Sequence, residues 1–140
     1  LWNPTASAPV GRWRLQPARR LAVGQWLAVR PPRALAQALE ARGALPSGVL
    51  LLKQVAALAP TRVCRRADVV LVDDHIRARA RAADRRGRPL PQWRQCRALL
   101  PDEVFLLNRA EGSLDSRYFG PLTRADVVAE ARPWLTRTGG

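Results

Sequence analysis

Residues 49–58 read VLLLKQVAAL, an apolar run of strand-forming residues interrupted once, by Lys53. A turn at Pro46–Gly48 leads into it, and a run this short and this apolar predicts a buried β-strand. Working outward, LAVGQWLAVR at 21–30 alternates loosely without helix caps and predicts a second strand, stopped by Pro31 and Pro32. Cys64 with DVVLVD at 68–73 predicts another strand, and EVFLL at 103–107 one more. Helical spacing is confined to RALAQALEAR at 33–42, where Leu35 and Leu39 share a side and Gly43 follows as a C-cap. Thr123 with Asp126 is a capping-box pair that predicts a final short helix near 124–131. WNPTASAPVG at 2–11 reads as an irregular loop, and NRAEGSLDSRYFGPL at 108–122 as a polar loop ending on aromatic packing. The expectation is a mainly β, or α+β, domain with two short helices and no internal repeat.

The chain has 140 residues, which suits a single domain spanning 1–140. Apolar residues make up 47% and charged residues 25%, globular proportions that exclude wholesale disorder despite 12 prolines. The longest stretch without a formal charge, residues 1–11, is about half of what a membrane-spanning helix needs. The sequence contains no Met, so Leu1 is not read as the translational start, and this leaves room for a signal or anchor segment upstream of it. The single His75 gives the two cysteines, Cys64 and Cys96, no zinc-like partner set, so no metal site is expected, and no cofactor is expected either. In a reducing compartment they would be small buried apolar residues; in an oxidising one, a single disulfide.

Basic residues number 24 against 11 acidic ones, giving a formal charge of +13, yet Lys53 is the sole lysine. Where arginine supplies every other cation, a lysine asks for a reason: its amine can release a proton and a guanidinium cannot. Within an apolar run, desolvation disfavours the ammonium and lowers its pKa, so Lys53 is a candidate general base. The alternative is a strand residue whose head snorkels to water.

Such a base needs a nucleophile, and Ser7 is the candidate, in a loop of small residues between Thr5 and Pro9. Ser with a Lys base is a known variant of the serine nucleophile that dispenses with histidine. His75, flanked by Asp73, Asp74 and an Arg-rich stretch, then reads as a surface residue.

Three segments in this order resemble the S26 signal peptidase family: PTASAP at 4–9, LLKQVAAL at 51–58 and SLDSRYFGPL at 113–122. The third is the most specific of the three. The conjugative-transfer branch, the TraF-type peptidases involved in pilin maturation, is the closer match, through NPTASAPVG, GVLLLKQVAAL, VCR, QCR, DEVFLLN and DSRYFGPL. The resemblance implies a signal peptidase I-like catalytic β-core. It also implies Ser7 as nucleophile, Lys53 as base, and Thr5 with the Ser7 N–H as the oxyanion hole. Ser113 would orient the lysine amine, and Asp115 and Arg117 would support the site. Asn108 and Arg109 match the pair that usually precedes the third motif.

The same resemblance implies a membrane-associated serine endopeptidase on the extracytoplasmic, periplasmic face of the inner membrane, tethered through the expected N-terminal segment. Its partner would be a pilin or secreted-protein precursor, cleaved or cyclised by acyl transfer. That placement favours a Cys64–Cys96 disulfide holding down a basic, cap-like insertion at 64–100. Two other readings stand beside it. The charge and the Arg-rich stretch RARARAADRRGR at 77–88 would suit a nucleic-acid- or membrane-surface-binding module, although aromatic interleaving is poor, so no specific nucleic acid is expected. An inactive peptidase fold that assists assembly by binding alone is the other.

Overall fold

The computed structural model describes residues 2–3, 11–33, 36–37, 40 and 50–136. Its strands are β1 (Trp2–Asn3), β2 (Gly11–Gln16), β3 (Trp26–Val29), β4 (Leu51–Leu58), β5 (Arg62–Arg66) and β6 (Val69–Val72), followed by β7 (His75–Arg79), β8 (Cys96–Ala98), β9 (Glu103–Leu106), β10 (Leu122–Thr123) and β11 (Val127–Thr136). One helical turn, α1 (Ser116–Phe119), lies between β9 and β10. The chain is mainly β. Of the helix expected at 33–42, the described residues Arg33, Ala36, Gln37 and Glu40 are helical.

Seven strands form one sheet in the order β1-β2-β11-β3-β4-β9-β10, and four form a second in the order β7-β6-β5-β8. The apolar run at 49–58 is central to the first sheet because β4 serves two neighbours in turn. Its first half pairs with β3, Lys53 opposite Leu27, and its second half pairs with β9 across a register shift between Val55 and Ala57. Period-two alternation sends Ala28 and Leu52 to a cluster with Trp13 and Ala131, and Leu27, Val29 and Val55 to another with Val104 and Leu106. Trp13 and Trp26 brace the first cluster with ring centroids 5.4 Å apart, in tilted geometry.

Both tight turns of the second sheet use residues with positive φ. Ala67 stands at φ 52° between β5 and β6, while Asp73 and Asp74, at 50° and 61°, make the two-residue link from β6 to β7. Two successive left-handed residues match the right-handed twist of a hairpin, and aspartate tolerates them better than most side chains. The two sheets share a cluster in which Phe105 and Leu107 pack with Val63, Val70, Val72 and Leu99.

One expected element is different. The helix predicted near 124–131 is a single 3₁₀ turn, Arg124–Asp126, after which the chain extends as β11. The capping pair is present, with the Asp126 carboxylate accepting from the Thr123 N–H at 3.4 Å. Val127 and Val128 then favour extended backbone, and β11 finds partners on both sides, β2 and β3, so ladder formation overrides the local helix signal.

Candidate active site

β4 carries Lys53 into the interior at 5% exposure. Its backbone is held from both sides. Leu27 of β3 faces it across one edge. On the other edge β9 ends at Leu106, and the Asn108 side chain takes over the ladder: its amide N–H donates to Leu52 O at 3.1 Å, and its Oδ1 accepts from Gln54 N at 3.1 Å. The peptide groups flanking Lys53 are thereby satisfied, and the lysine is fixed at its Cα.

The amine end is fixed as well. Lys53 Nζ donates to Ser113 Oγ at 3.1 Å, and Ser113 is itself buried. Ser113 is held where its own N–H donates to Ala110 O, at the mouth of the segment that runs into α1. Burial lowers the Lys53 pKa from 10.5 to about 8, since removing water penalises the ammonium more than the free amine. The Asp115 charge opposes that fall and the Arg117 charge adds to it. The amine therefore lies close enough to neutrality to take a proton near physiological pH.

Beneath this contact lies a buried ion pair. Asp115 Oδ1 accepts from Arg117 Nε at 2.8 Å and Oδ2 from Arg117 Nη2 at 3.0 Å, both residues being 2% exposed. The remaining capacity of each group is used. Asp115 caps α1 through the Arg117 N–H at 3.1 Å and takes the Asn108 N–H at 2.9 Å, while Arg117 Nη2 donates to Asn108 O at 2.8 Å. A buried pair tolerates desolvation only when its lone pairs and protons are met in this way. Ser116 Oγ accepts from Leu106 N at 2.9 Å, tying α1 to β9. The helix ends at Gly120 with φ 75°, where a Cβ would stand 2.7 Å from Trp93 Cδ1, so only glycine lets the indole cover the turn.

Of the residues singled out in the sequence, Lys53, Ser113, Asp115 and Arg117 come together. Ser7 and Thr5 lie outside the described residues. Cys64 and Cys96 sit opposite each other in the β5–β8 ladder and form a disulfide. His75 is exposed at the start of β7. Sequence reading found Asn108 only as half of a motif pair; its signal was an amide placed just after a buried strand. It gave Ser116 and Gly120 no role beyond their place in the third motif, and it read the segment carrying α1 as a polar loop ending on aromatic packing. Among the described residues no group of three or more His, Cys, Asp or Glu is placed to hold a metal, and no helix is long and apolar enough to cross a membrane.

Two conjugal transfer proteins are similar to this sequence over nearly its whole length. The probable conjugal transfer protein TraF of Sinorhizobium fredii is 38% identical over 144 residues, covering 96% of this chain and 76% of the relative. The conjugal transfer protein TraF of Agrobacterium fabrum is 34% identical, covering 96% of this chain and 81% of the relative. Among solved structures, a signal peptidase I from Enterococcus faecalis V583 aligns with 80% of this chain and 97% of its own, at 18% identity and a TM-score of 0.44. The profile described as signal peptidase, peptidase S26, matches residues 1–135. The chain belongs to the S26 signal peptidase family.

Proposed function

We propose that this chain is the catalytic domain of a serine endopeptidase with Ser7 as nucleophile and Lys53 as general base. It would act in conjugation on a pilin precursor at the extracytoplasmic face of the inner membrane. One observation carries the reading: a buried lysine with its pKa lowered to about 8, whose amine is aimed by Ser113 Oγ at 3.1 Å. A structural lysine gains nothing from such a setting, because desolvating an ammonium is costly. A base gains a neutral nitrogen with a fixed direction. The conjugal transfer names of the two TraF relatives support the biological setting.

In this mechanism neutral Lys53 takes the Ser7 hydroxyl proton as Oγ attacks the scissile carbonyl. The developing oxyanion is met by the Ser7 N–H and the Thr5 hydroxyl. The Lys53 ammonium returns its proton to the leaving amine as the C–N bond breaks, leaving an ester on Ser7. Water attacking that ester gives cleavage; an amine attacking it forms a new peptide bond, and an amine from the same chain closes a ring. Residues 64–100 act as a basic cap on this domain, a role supported by the second sheet and by the disulfide that ties β8 to β5.

The test is processing of the co-encoded pilin precursor by the full-length, membrane-reconstituted protein, followed by mass spectrometry. Wild type should yield a trimmed or a water-lighter circular product. Lys53→Ala and Ser7→Ala should slow its appearance by about 10² to 10⁴ fold. Equal processing by wild type and Lys53→Ala would remove the proposed chemistry.

A further inference from the structure

Beside the Ser113 segment is a cleft of about 550 Å³ whose wall includes Gly112 and Leu114, the two neighbours of Ser113. Buried Leu90 and Tyr118 with half-buried Leu114 give it an apolar base, and the exposed Arg81, Arg85 and Arg86 line it with guanidinium groups, as does Arg88. Two carboxylates share the lining, and both are engaged. Glu111 pairs with Arg81 at 3.5 Å. Asp84 is bound into its own loop, with Oδ1 accepting the N–H groups of Arg86 and Arg88 at 2.9 Å and Oδ2 meeting Arg88 Nε at 2.9 Å. Four cations against two anions leave the cleft positive, and Arg85 and Arg86 have no ion pair among the described residues.

The loop that presents them is built. Ala83 and Pro89 form a β-bridge, and Leu90 N donates to Ala82 O at 3.0 Å. The Gln92 amide donates to both Arg81 O and Leu90 O at 3.0 Å. The Arg81 N–H reaches the Tyr118 hydroxyl at 3.0 Å, which couples the loop to α1 and so to the Ser113 segment.

We infer that this cleft is a substrate subsite that selects a carboxylate-bearing, extended peptide segment flanking the scissile bond. The inference rests on the peptidase reading for the identity of that peptide as substrate. Two features favour peptide over a lipid surface or nucleic acid. The cleft adjoins the segment that holds the Lys53 amine, and its apolar base suits the methylenes of a Glu stem below a guanidinium rim. A flat bilayer would meet Arg85 and Arg86 without reaching Leu114 or Tyr118. Guanidinium forks take carboxylates in bidentate geometry, which selects the acid over its amide.

The experiment is calorimetric titration of the protein with two alanine-rich peptides, one carrying glutamates and the other glutamines at the same positions. The glutamate peptide should bind about tenfold more tightly, and Arg85→Glu with Arg86→Glu should abolish that preference. The control is Arg19→Glu with Arg20→Glu, the same charge change at a separate basic depression lined by Arg19, Arg20 and Arg132. It should retain the preference. Equal loss in both double variants would reduce the effect to net charge and overturn the inference, as would no preference in wild type. A response of phosphatidylglycerol vesicles or oligodeoxythymidylate to the Arg85/Arg86 change, without one from the glutamate peptide, would overturn it too. Binding needs no turnover, so failure here leaves the Ser7/Lys53 chemistry standing, and failure of that chemistry leaves these titrations interpretable. With an acidic precursor, the Arg85/Arg86 variant should raise KM and leave kcat and its pH dependence in place.

Discussion

Because the protein has one lysine, the protonation state of its proposed base can be read as a single signal. Lysine labelled with a heavy carbon isotope at Cε should give one side-chain resonance whose titration midpoint lies at about 8, against the ordinary value of 10.5. At neutral pH that change raises the uncharged fraction from about one in three thousand to about one in ten, a gain of about 300-fold in competent base. Precursor cleavage should therefore climb about tenfold for each pH unit below the midpoint and level off above it. Stability carries the same shift with a definite sign. Between pH 8 and 10.5 the unfolded chain keeps a proton that the folded chain has released, so stability rises with pH across that window. Below it, folding bears the full cost of the buried ammonium, about 3 kcal/mol. A resonance titrating at the ordinary lysine value, or a cleavage rate flat from pH 6 to 9, would refute the account of Lys53 as a desolvated base.

Ser113→Ala leaves the Lys53 burial intact but removes the acceptor that aims its amine, so kcat should fall by about 10 to 100 fold with KM unchanged; steady-state kinetics on a precursor peptide would show it. Asp115→Asn strands the Arg117 charge at 2% exposure and should cost about 3 to 5 kcal/mol in denaturant unfolding. In whatever folded protein survives, the Lys53 midpoint should drop further, since the Asp115 charge holds it up. The Glu103 carboxyl is held below its ordinary pKa by its hydrogen bonds from Arg97 and then by the Leu100 N–H. A lowered folded value means a contribution present above the usual carboxylate range and lost as pH falls through the folded value. The gap in thermal midpoint between wild type and Glu103→Gln should accordingly close in acid.

The strands were legible wherever burial left a continuous apolar run, as at 51–58 and 103–106, because such a run has nowhere to go except the inside of a sheet. The turns were not. Asp73 and Asp74 are not the usual Asn-Gly of a two-residue hairpin, and DVVLVD with the stretch after it concealed two hairpins behind one apparent strand and a basic excursion. The tail failed for a different reason. Its capping pair is a local signal that the structure honours for one turn, and the pairing that makes β11 depends on residues more than a hundred positions away.

Lys53 and the Ser113–Leu122 segment stood out in the sequence through composition and motif, yet neither could show what sets the properties of the amine. The pKa follows from enclosure, which is a sum over β3, β4, β9 and the α1 segment and has no sequence signature of its own. Asn108 shows the gap most clearly. Read along the chain it is a polar residue after a strand; folded, its one side chain stands in for the missing ladder beside Lys53 while its backbone N–H and C=O bind Asp115 and Arg117. It thus links the rigidity of the lysine to the buried ion pair, and a site whose base must stay uncharged and correctly aimed needs both held by the same frame. An enclosed amine with a mobile backbone would lose direction, and a fixed backbone with an open amine would lose the lowered pKa. Joining the two constraints through Asn108 gives Lys53 both at once.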